Sequence, residues 1–500
     1  MVSAVMELMD TSAVNVSLPY IAGNLAATTT EATWVLTSYL ISNAIVLPLA
    51  GWLANYFGRK RLLMLAVGGF TISSMLCGIA PSLPLLITFR VLQGATGGSL
   101  QPTSRAILLE TFPREERGNA MALWGVGIVV APILAPLLGG WLTTDFSWRW
   151  VFFINLPISI AGLILLQLFV HDPPYIRRGS LRMDYWGLSM LVTGIAALQI
   201  MLDRGQEDGW FGSHFIVTLA VIAVICLTTF VIWELRSKHP LVHFHLLKFR
   251  TFAVGATLSA ILGFVLFGSI VLLPLYMQEL LGFPAITAGF WNSPRGIATM
   301  VLMPVSGFLI GRRWDMRAMM FTGLLASAVG IFWFSLLNLN AGPQSFLWPQ
   351  ILMGAGLSLV FPPLATMTVD PIPSEEMGYA TSITSLMRNI GASVGISFVA
   401  TELARSRQKH QTRLVAHLTA ASPAMRNFMA GMKVTLLRQG ANSVKAGQQA
   451  LEMLYRLTLQ QAAVLSYLDA FRLLAIFFLV VAPLPWLMHH AGHKGGGAGR

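Results

Sequence analysis

Apolar stretches of membrane-spanning length recur from one end of the chain to the other, and the short gaps between them alternate between basic and nearly uncharged. A bilayer core takes about 20 mostly apolar residues per crossing, because in lipid a helix satisfies its own backbone amides. Hydropathy in windows of about 19 residues predicts about fourteen crossings. Their cores fall near 1–21, 33–55, 62–80, 84–107, 118–142, 150–170, 184–203, 213–233, 252–279, 286–310, 317–338, 346–369, 377–402 and 467–489. The pattern describes an all-α polytopic membrane protein, whose function must lie inside a helical bundle.

Lys and Arg sort the connections into two sets. One holds Arg59, Lys60 and Arg61; Arg114 and Arg117; Arg177, Arg178 and Arg182; the run from Arg236 to Arg250; and Arg312, Arg313 and Arg317. The other short connections hold little beyond Arg149 and Arg204. Basic loops stay on the cytoplasmic side, so the first set and both termini are predicted to be cytoplasmic. The polar segment 403–466 puts many basic residues on the predicted outer face, but loops of roughly 60 residues escape the charge rule. Its run of Leu, Ala, Gln and basic residues is compatible with helix.

Composition narrows the function classes. Of the 500 residues, 55% are hydrophobic and 11% charged, with mean hydropathy +0.67, which excludes a water-soluble domain of this size. The net charge of +12 is spread over short clusters between apolar runs, which points to anionic lipid headgroups and not to nucleic acid. Cys77 and Cys226 both lie in apolar segments, so neither a disulfide framework nor a CxxC metal site is expected. No Lys or Arg precedes Arg59 and no cleavage-like site follows the first apolar run, so residues 1–21 read as a spanning helix and not as a removable signal peptide. The chain has no GxxxxGKS/T phosphate loop, and direct ATP hydrolysis is not expected. His239, His243 and His245 share a predicted cytoplasmic loop without Cys or an HExxH frame, and read as part of a loose basic loop. His489, His490 and His493 precede a Gly-rich tail and read as a disordered end. Neither a metal nor another cofactor is expected.

The loop Gly51-Trp52-Leu53-Ala54-Asn55 through Gly58, Arg59, Lys60 and Arg61 is echoed after the tenth predicted helix by Gly307-Phe308-Leu309-Ile310-Gly311 through Arg317. The echo divides the chain into an N-terminal six-helix bundle over 1–170, two intervening helices over 184–233, and a C-terminal six-helix bundle over 252–489 that carries the long outer loop 403–466. Parallel repeats of this kind build rocker-type secondary transporters.

Several motifs then follow one another in order. The Gly51–Arg61 loop resembles the loop signature of the major facilitator superfamily, and Leu86-Ile87-Thr88-Phe89-Arg90-Val91-Leu92-Gln93-Gly94 resembles its fourth-helix signature. Ala131-Pro132 through Ala135-Pro136 to Gly139-Gly140 resembles the fifth-helix motif of its proton-coupled exporters. Leu8-Met9-Asp10-Thr11 with Asn15, Leu18 and Pro19 resembles the first-helix signature of the fourteen-helix drug:proton antiporter class, where Trp148-Arg149-Trp150 with Phe152, Ile154, Asn155 and Pro157 is also typical. The resemblance implies a major facilitator fold, proton-coupled efflux of apolar or amphipathic small molecules, and a bacterial inner-membrane location. It also implies that Arg90 couples proton movement to conformational change. Related exporters of two-membrane bacteria hand substrate to a periplasmic adaptor and an outer-membrane channel, for which 403–466 is the candidate contact, with a solvated cap as the alternative. The chain departs from the pattern at Asn55, where Asp is usual, and at Ala131 and Ala135, where Gly is usual. An amide hydrogen-bonds but does not ionise, so a weaker latch is expected there.

The chemistry of the residues points the same way. Asp10 lies mid-helix with Glu7 one turn earlier on the same face. A charge at the bilayer centre costs at least about 2.5 kcal/mol on the insertion scale, so Asp10 should face a cavity or a partner, whereas Glu7, nearer the helix end, either shares that role or meets water. A carboxyl moving between apolar and Arg-paired surroundings loads and releases a proton, although a structural hydrogen bond at a bundle interface is the alternative. Arg90, a buried permanent cation, demands an anionic or carbonyl partner, with a purely structural ion pair as the alternative to a coupling role. The Gly51, Asn55, Gly58, Arg59, Lys60 and Arg61 loop is either a conformational gate or a topology anchor. In helix five Gly127, Ala131, Ala135 and Gly139 form a small-residue stripe, Gly140 follows, and Pro132 and Pro136 remove backbone donors; the helix either flexes or simply packs closely. Glu279, Arg295, Arg388 and Asn389 are further polar positions in the second half, which either act or reach to an interface. Two other functions remain open: a dedicated metabolite exporter of the same fold, and a non-transporting membrane sensor or scaffold.

Overall fold

The structure is a computed structural model, and it describes residues 1–113, 116–172, 183–237, 240–419, 422–439 and 442–489. Arg114, Arg177, Arg178, Arg182, His239, His490 and His493 lie outside the described residues. The helices are α1 (Val2–Asn24), α2 (Trp34–Phe57), α3 (Arg59–Ile79), α4 (Leu83–Gly97 continuing as Leu100–Thr111), α5 (Arg117–Asp145), α6 (Asn155–Phe169), α7 (Tyr185–Arg204) and α8 (His214–Arg236). They continue as α9 (Arg250–Leu275), α10 (Ala285–Gly311), α11 (Met316–Phe334), α12 (Leu347–Val369), α13 (Met377–His417), α14 (Pro423–Arg438) and α15 (Ser443–Val481).

Among the described residues, twelve helices are long and apolar enough to cross a membrane. The other two predicted crossings are α1, whose apolar run is interrupted by Glu7, Asp10, Thr11 and Ser12, and α4, which is divided at Gly98 and Ser99. Leu65, Ile72 and Ile79 on one face of α3 are about 60% exposed, as expected of side chains that meet lipid rather than water. Helix association in lipid gains little from apolar burial, and depends on close packing and buried polar contacts.

In the first half α1 packs on α5, α2 on α4, and α3 on α4 and α6. In the second half α9 packs on α13, α12 on both α10 and α11, and α15 on α11 and α13. The intervening pair α7 and α8 pack on each other, and α7 touches both α2 and α13. Between the halves, α5 meets α10 and α12, while α13 meets α2 and the second segment of α4. One apolar cluster joins everything at the end that carries Arg59: Trp52, Leu109 and Trp124 from the first half, Ile195 and Phe230 from the intervening pair, and Phe252, Val369, Tyr379 and Ile383 from the second.

The segment 403–466 is helical over most of its described length. α13 runs for 41 residues and α15 for 39, each about 60 Å and therefore about twice the thickness of the hydrocarbon core. Hydropathy marks where a helix lies in lipid, and nothing in the sequence breaks either helix where it leaves. His410 Nε2 lies 2.7 Å from Asp469 Oδ2, tying α13 to α15, and α14 packs along α15.

Candidate functional site

The first-half helices converge on Asp10. Its Oδ2 is 2.6 Å from Arg90 Nη1, and its Oδ1 accepts from Gln93 Nε2 at 2.9 Å and Asn155 Nδ2 at 2.6 Å. Arg90 and Gln93 share a face of α4 one turn apart. Arg90 also donates from Nη1 to Gln93 Oε1 at 2.7 Å and from Nε to the Val35 carbonyl at 3.0 Å, and its guanidinium lies 4.3 Å from the Tyr39 ring centre. Asn155 in turn donates to Ser74 Oγ at 2.9 Å. Asp10 and Arg90 are both fully buried, so the site is a charge-balanced polar knot sealed in an apolar bundle. Beside it runs a narrow hollow lined by Met9, Ala13, Ala135, Leu138, Val151 and Ile154 as well as Asp10.

Glu7 lies in a second network. Its Oε1 accepts from Asn43 Nδ2 at 2.8 Å, and Gln101 stands beside the carboxylate. Gln101 Oε1 accepts from Arg388 Nη2 at 2.6 Å, which carries the chain of contacts from α1 across to α13 in the other half. Four residues on, Arg105 donates to Thr384 Oγ1 and to the Ala365 carbonyl, both at 3.3 Å.

The Arg59 loop forms the contact between the halves at its end of the molecule. A Cβ on Gly51 would stand 2.8 Å from the Tyr379 backbone, so only glycine allows this approach. Gly58 adopts φ 86°, a turn that favours glycine and starts α3. Arg59 is buried, forms an ion pair with Glu110 of α4, and points Nη2 at the Ser374 carbonyl 3.5 Å away. Asn55 stands beside the Tyr379 side chain. Lys60 ties α3 to the end of α6, through its backbone to Asp172 and its Nζ to the Gln167 carbonyl, each at 2.8 Å. Arg61 is exposed. The carboxylate absent at position 55 is thus matched by Glu110, and Asn55 instead reaches across to α13.

Helix five is continuous through Pro132 and Pro136, over residues Arg117–Asp145. Its small-residue stripe faces α1: a Cβ on Gly139 would come within 2.9 Å of Ala13 Cα, one on Gly127 would meet Met1 and Val5, and Ala131 and Ala135 are fully buried. Gly140 is looser, with Val16 at 3.9 Å. In the second half, Arg295 is buried and directs Nη1 to Ser269 Oγ at 3.3 Å, whereas Glu279 is exposed and accepts from the Tyr467 hydroxyl at 3.0 Å. Asn389 is half-buried on α13 beside Arg388.

His243 and His245 gather with Glu376, which stands 131 residues away on the turn that leads into α13. His243 stacks on Tyr379 with ring centres 3.7 Å apart, and burial, with His245 nearby, pushes its imidazole down to about 4.

The model of the Major Facilitator Superfamily matches residues 1–396. The chain belongs to the major facilitator superfamily. It is similar to the fatty acid resistance protein FarB of Neisseria gonorrhoeae, 38% identical over 495 residues that cover 98% of this chain and 95% of that protein. It is also similar to the multidrug export protein EmrB of Escherichia coli, 35% identical over 500 residues covering 99% and 95%. Among solved structures it resembles the human organic anion transporter MFSD10 (TETRAN), with TM-score 0.59, 14% identity and 97% and 98% coverage. The proton:xylose symporter XylE also resembles it, with TM-score 0.56, 17% identity and 98% coverage of each chain. This major facilitator protein is therefore a multi-pass membrane transporter.

Within this superfamily fold the structure brings Asp10 and Arg90 together, and separately brings Glu7 to Arg388. Glu279 and Arg295 join neither group. Sequence patterns gave no role to Gln93, Asn155, Ser74, Tyr39, Asn43, Gln101, Arg105 or Glu110. The available signal was the spacing of Gln93 and Gln101 on the face of α4 that carries Arg90 and Arg105.

Proposed function

We propose that this transporter exports apolar or amphipathic small molecules across the bacterial inner membrane in exchange for protons, by alternating access. The Asp10–Arg90 pair carries the proposal. A sealed carboxylate held by a guanidinium and two amides ties α1 to α4 and α6, and a change in its charge acts directly on that tie, since unpaired charge in lipid costs several kcal/mol. A proton arriving at Asp10 cancels its charge, and Arg90 keeps only Gln93, Val35 and the Tyr39 ring. The weakened link between α1 and α4 then permits a rearrangement of the half to which both belong. Proton release restores the pair and resets the cycle.

The arrangement of the halves supports alternating access. The contacts between them gather at the Arg59 end, around Gly51, Arg59 and Tyr379, with Gly118 against Ile310 and Gly307 against Asn119 on α5 and α10. By the charge rule that end is cytoplasmic, and the same rule assigns both termini to that side. Arg59, Lys60 and Arg61 act as the gate, and α5, stripped of two donors by its prolines, is the helix that bends. The relatives named for fatty acid resistance and multidrug export favour amphipathic cargo.

The test is flux of a panel of dyes and antibiotics in proteoliposomes with an imposed pH gradient. Gradient-dependent transport that a protonophore abolishes is expected. Flux indifferent to the gradient would end the antiport reading, and no flux for any compound would leave a sensor or scaffold.

A further inference from the structure

We infer that His243, His245 and Glu376 form a binding site for a first-row divalent cation, of which Zn²⁺ best suits the ligands, that fastens the segment before α9 to the start of α13. Two imidazoles and one carboxylate are the nitrogen and oxygen donors that zinc accepts, and three protein ligands with a fourth position open is a common zinc arrangement. The three candidate ligand atoms all lie within 4.8 Å of one another. His245 Nε2 is 3.1 Å from Glu376 Oε1, and His243 Nδ1 is 3.9 Å from the same oxygen. Tetrahedral bonds of about 2.0–2.1 Å set ligand atoms about 3.3 Å apart; the pairs at 3.1 and 3.9 Å already stand close to that spacing, and the two imidazole nitrogens, at most 4.8 Å apart, draw together when a metal binds.

A simple His245–Glu376 ion pair leaves His243 unexplained. The His243 Nδ1 is buried and makes no hydrogen bond, yet it faces the shared carboxylate. Its ring is fixed by the Tyr379 stack at an interplanar angle of 9°, so the lone pair is already oriented. His245 and Glu376 are 46% and 27% exposed, which leaves an approach for the ion and room for a water ligand.

The position gives the ion an effect. Glu376 ends the turn Ser374–Glu376, whose first carbonyl faces Arg59, and Tyr379 just beyond packs on Gly51 and His243. Fastening this turn to the linker fixes the Ser374 carbonyl and Tyr379, through which this part of the chain meets Arg59 and Gly51, so the metal acts on the contact between the halves by positioning one side of it. Binding itself does not depend on proton coupling.

The full chain, purified in detergent and stripped with a chelator, is titrated with Zn²⁺ by calorimetry, alongside His245→Ala, Glu376→Gln and the control His410→Ala. Both site variants sit at partly exposed positions, and monodispersity confirms their fold. Each is expected to lose one equivalent of zinc, or about tenfold or more in its affinity, together with the zinc-dependent rise in melting temperature, whereas His410→Ala keeps both. Unchanged binding in either site variant, or an equal loss in His410→Ala, overturns the site.

Discussion

Arg90 Nη1 stands 2.6 Å from Asp10 Oδ2 while its Nε holds the Val35 carbonyl, so one guanidinium ties α4 to both α1 and α2. The carboxylate it faces is already saturated by two amides. The pair is therefore a structural rivet, and in the proposed cycle it is where a proton acts on helix packing.

Asp10→Asn keeps the size of the side chain and removes its charge. It leaves Arg90 buried without its counter-ion, a loss of about 3–5 kcal/mol where no relaxation follows, although Gln93 and Val35 still accept from Arg90. Folded protein with no pH-driven efflux is expected, read as flux per mole of protein in the membrane. Normal coupled flux would remove Asp10 as the proton carrier.

The sequence made this centre partly legible for a physical reason. An acid and a base inside apolar runs each demand a partner, so Asp10 and Arg90 stand out in any hydropathy trace. Gln93, Asn155 and Ser74 cost far less to bury and leave no such mark, although they supply most of the hydrogen bonds. Twelve of the fourteen predicted crossings were legible because lipid sets their length. The ends of α13 and α15 were not, because a helix continues into water without a hydropathic signal. Glu110 and Glu376 lie far along the chain from Arg59 and His245, and only the fold brings them there.

Gly51→Val tests the closed end of the molecule. A side chain at that position meets the Tyr379 backbone, which cannot swing away as a flexible side chain would. Overpacking of this kind costs about 1–3 kcal/mol, which shifts the balance of open and closed forms about 5- to 150-fold. A single cysteine near Arg61, in a background lacking Cys77 and Cys226, should become more reactive from that face. Asn55→Asp should shift labelling too, because a carboxylate near Arg59 and Lys60 makes a charge-assisted contact that an amide makes weakly. Labelling unchanged by both would mean the loop anchors topology only.

Glu7 and Arg388 meet through Gln101, so their substitutions should not act independently. Glu7→Gln and Arg388→Gln are each expected to slow pH-driven flux, and the double variant to be about as impaired as the worse single. The coupling energy, from kcat/KM of the four proteins, should exceed about 0.5 kcal/mol. Additive losses would place the two residues in separate roles.

The projecting helices give the last prediction. Val444, Leu451, Met453 and Tyr455 on α15 are 46–70% exposed, and Val434 and Leu437 on α14 are 49% and 41% exposed. Beyond the bilayer such side chains would face water, where an amphipathic helix face gains from a partner that covers it. For the proposed export across an inner membrane, the expected partner is a periplasmic adaptor leading to an outer-membrane channel. Shortening both helices and α14 to a brief connection just beyond the lipid should therefore leave pH-driven flux in proteoliposomes intact and lower resistance in whole cells. The two assays separate the possibilities, because only the whole cell contains the outer membrane. Equal loss in both would assign the extension to folding or to the transport cycle itself, and full resistance in cells would show that nothing docks there.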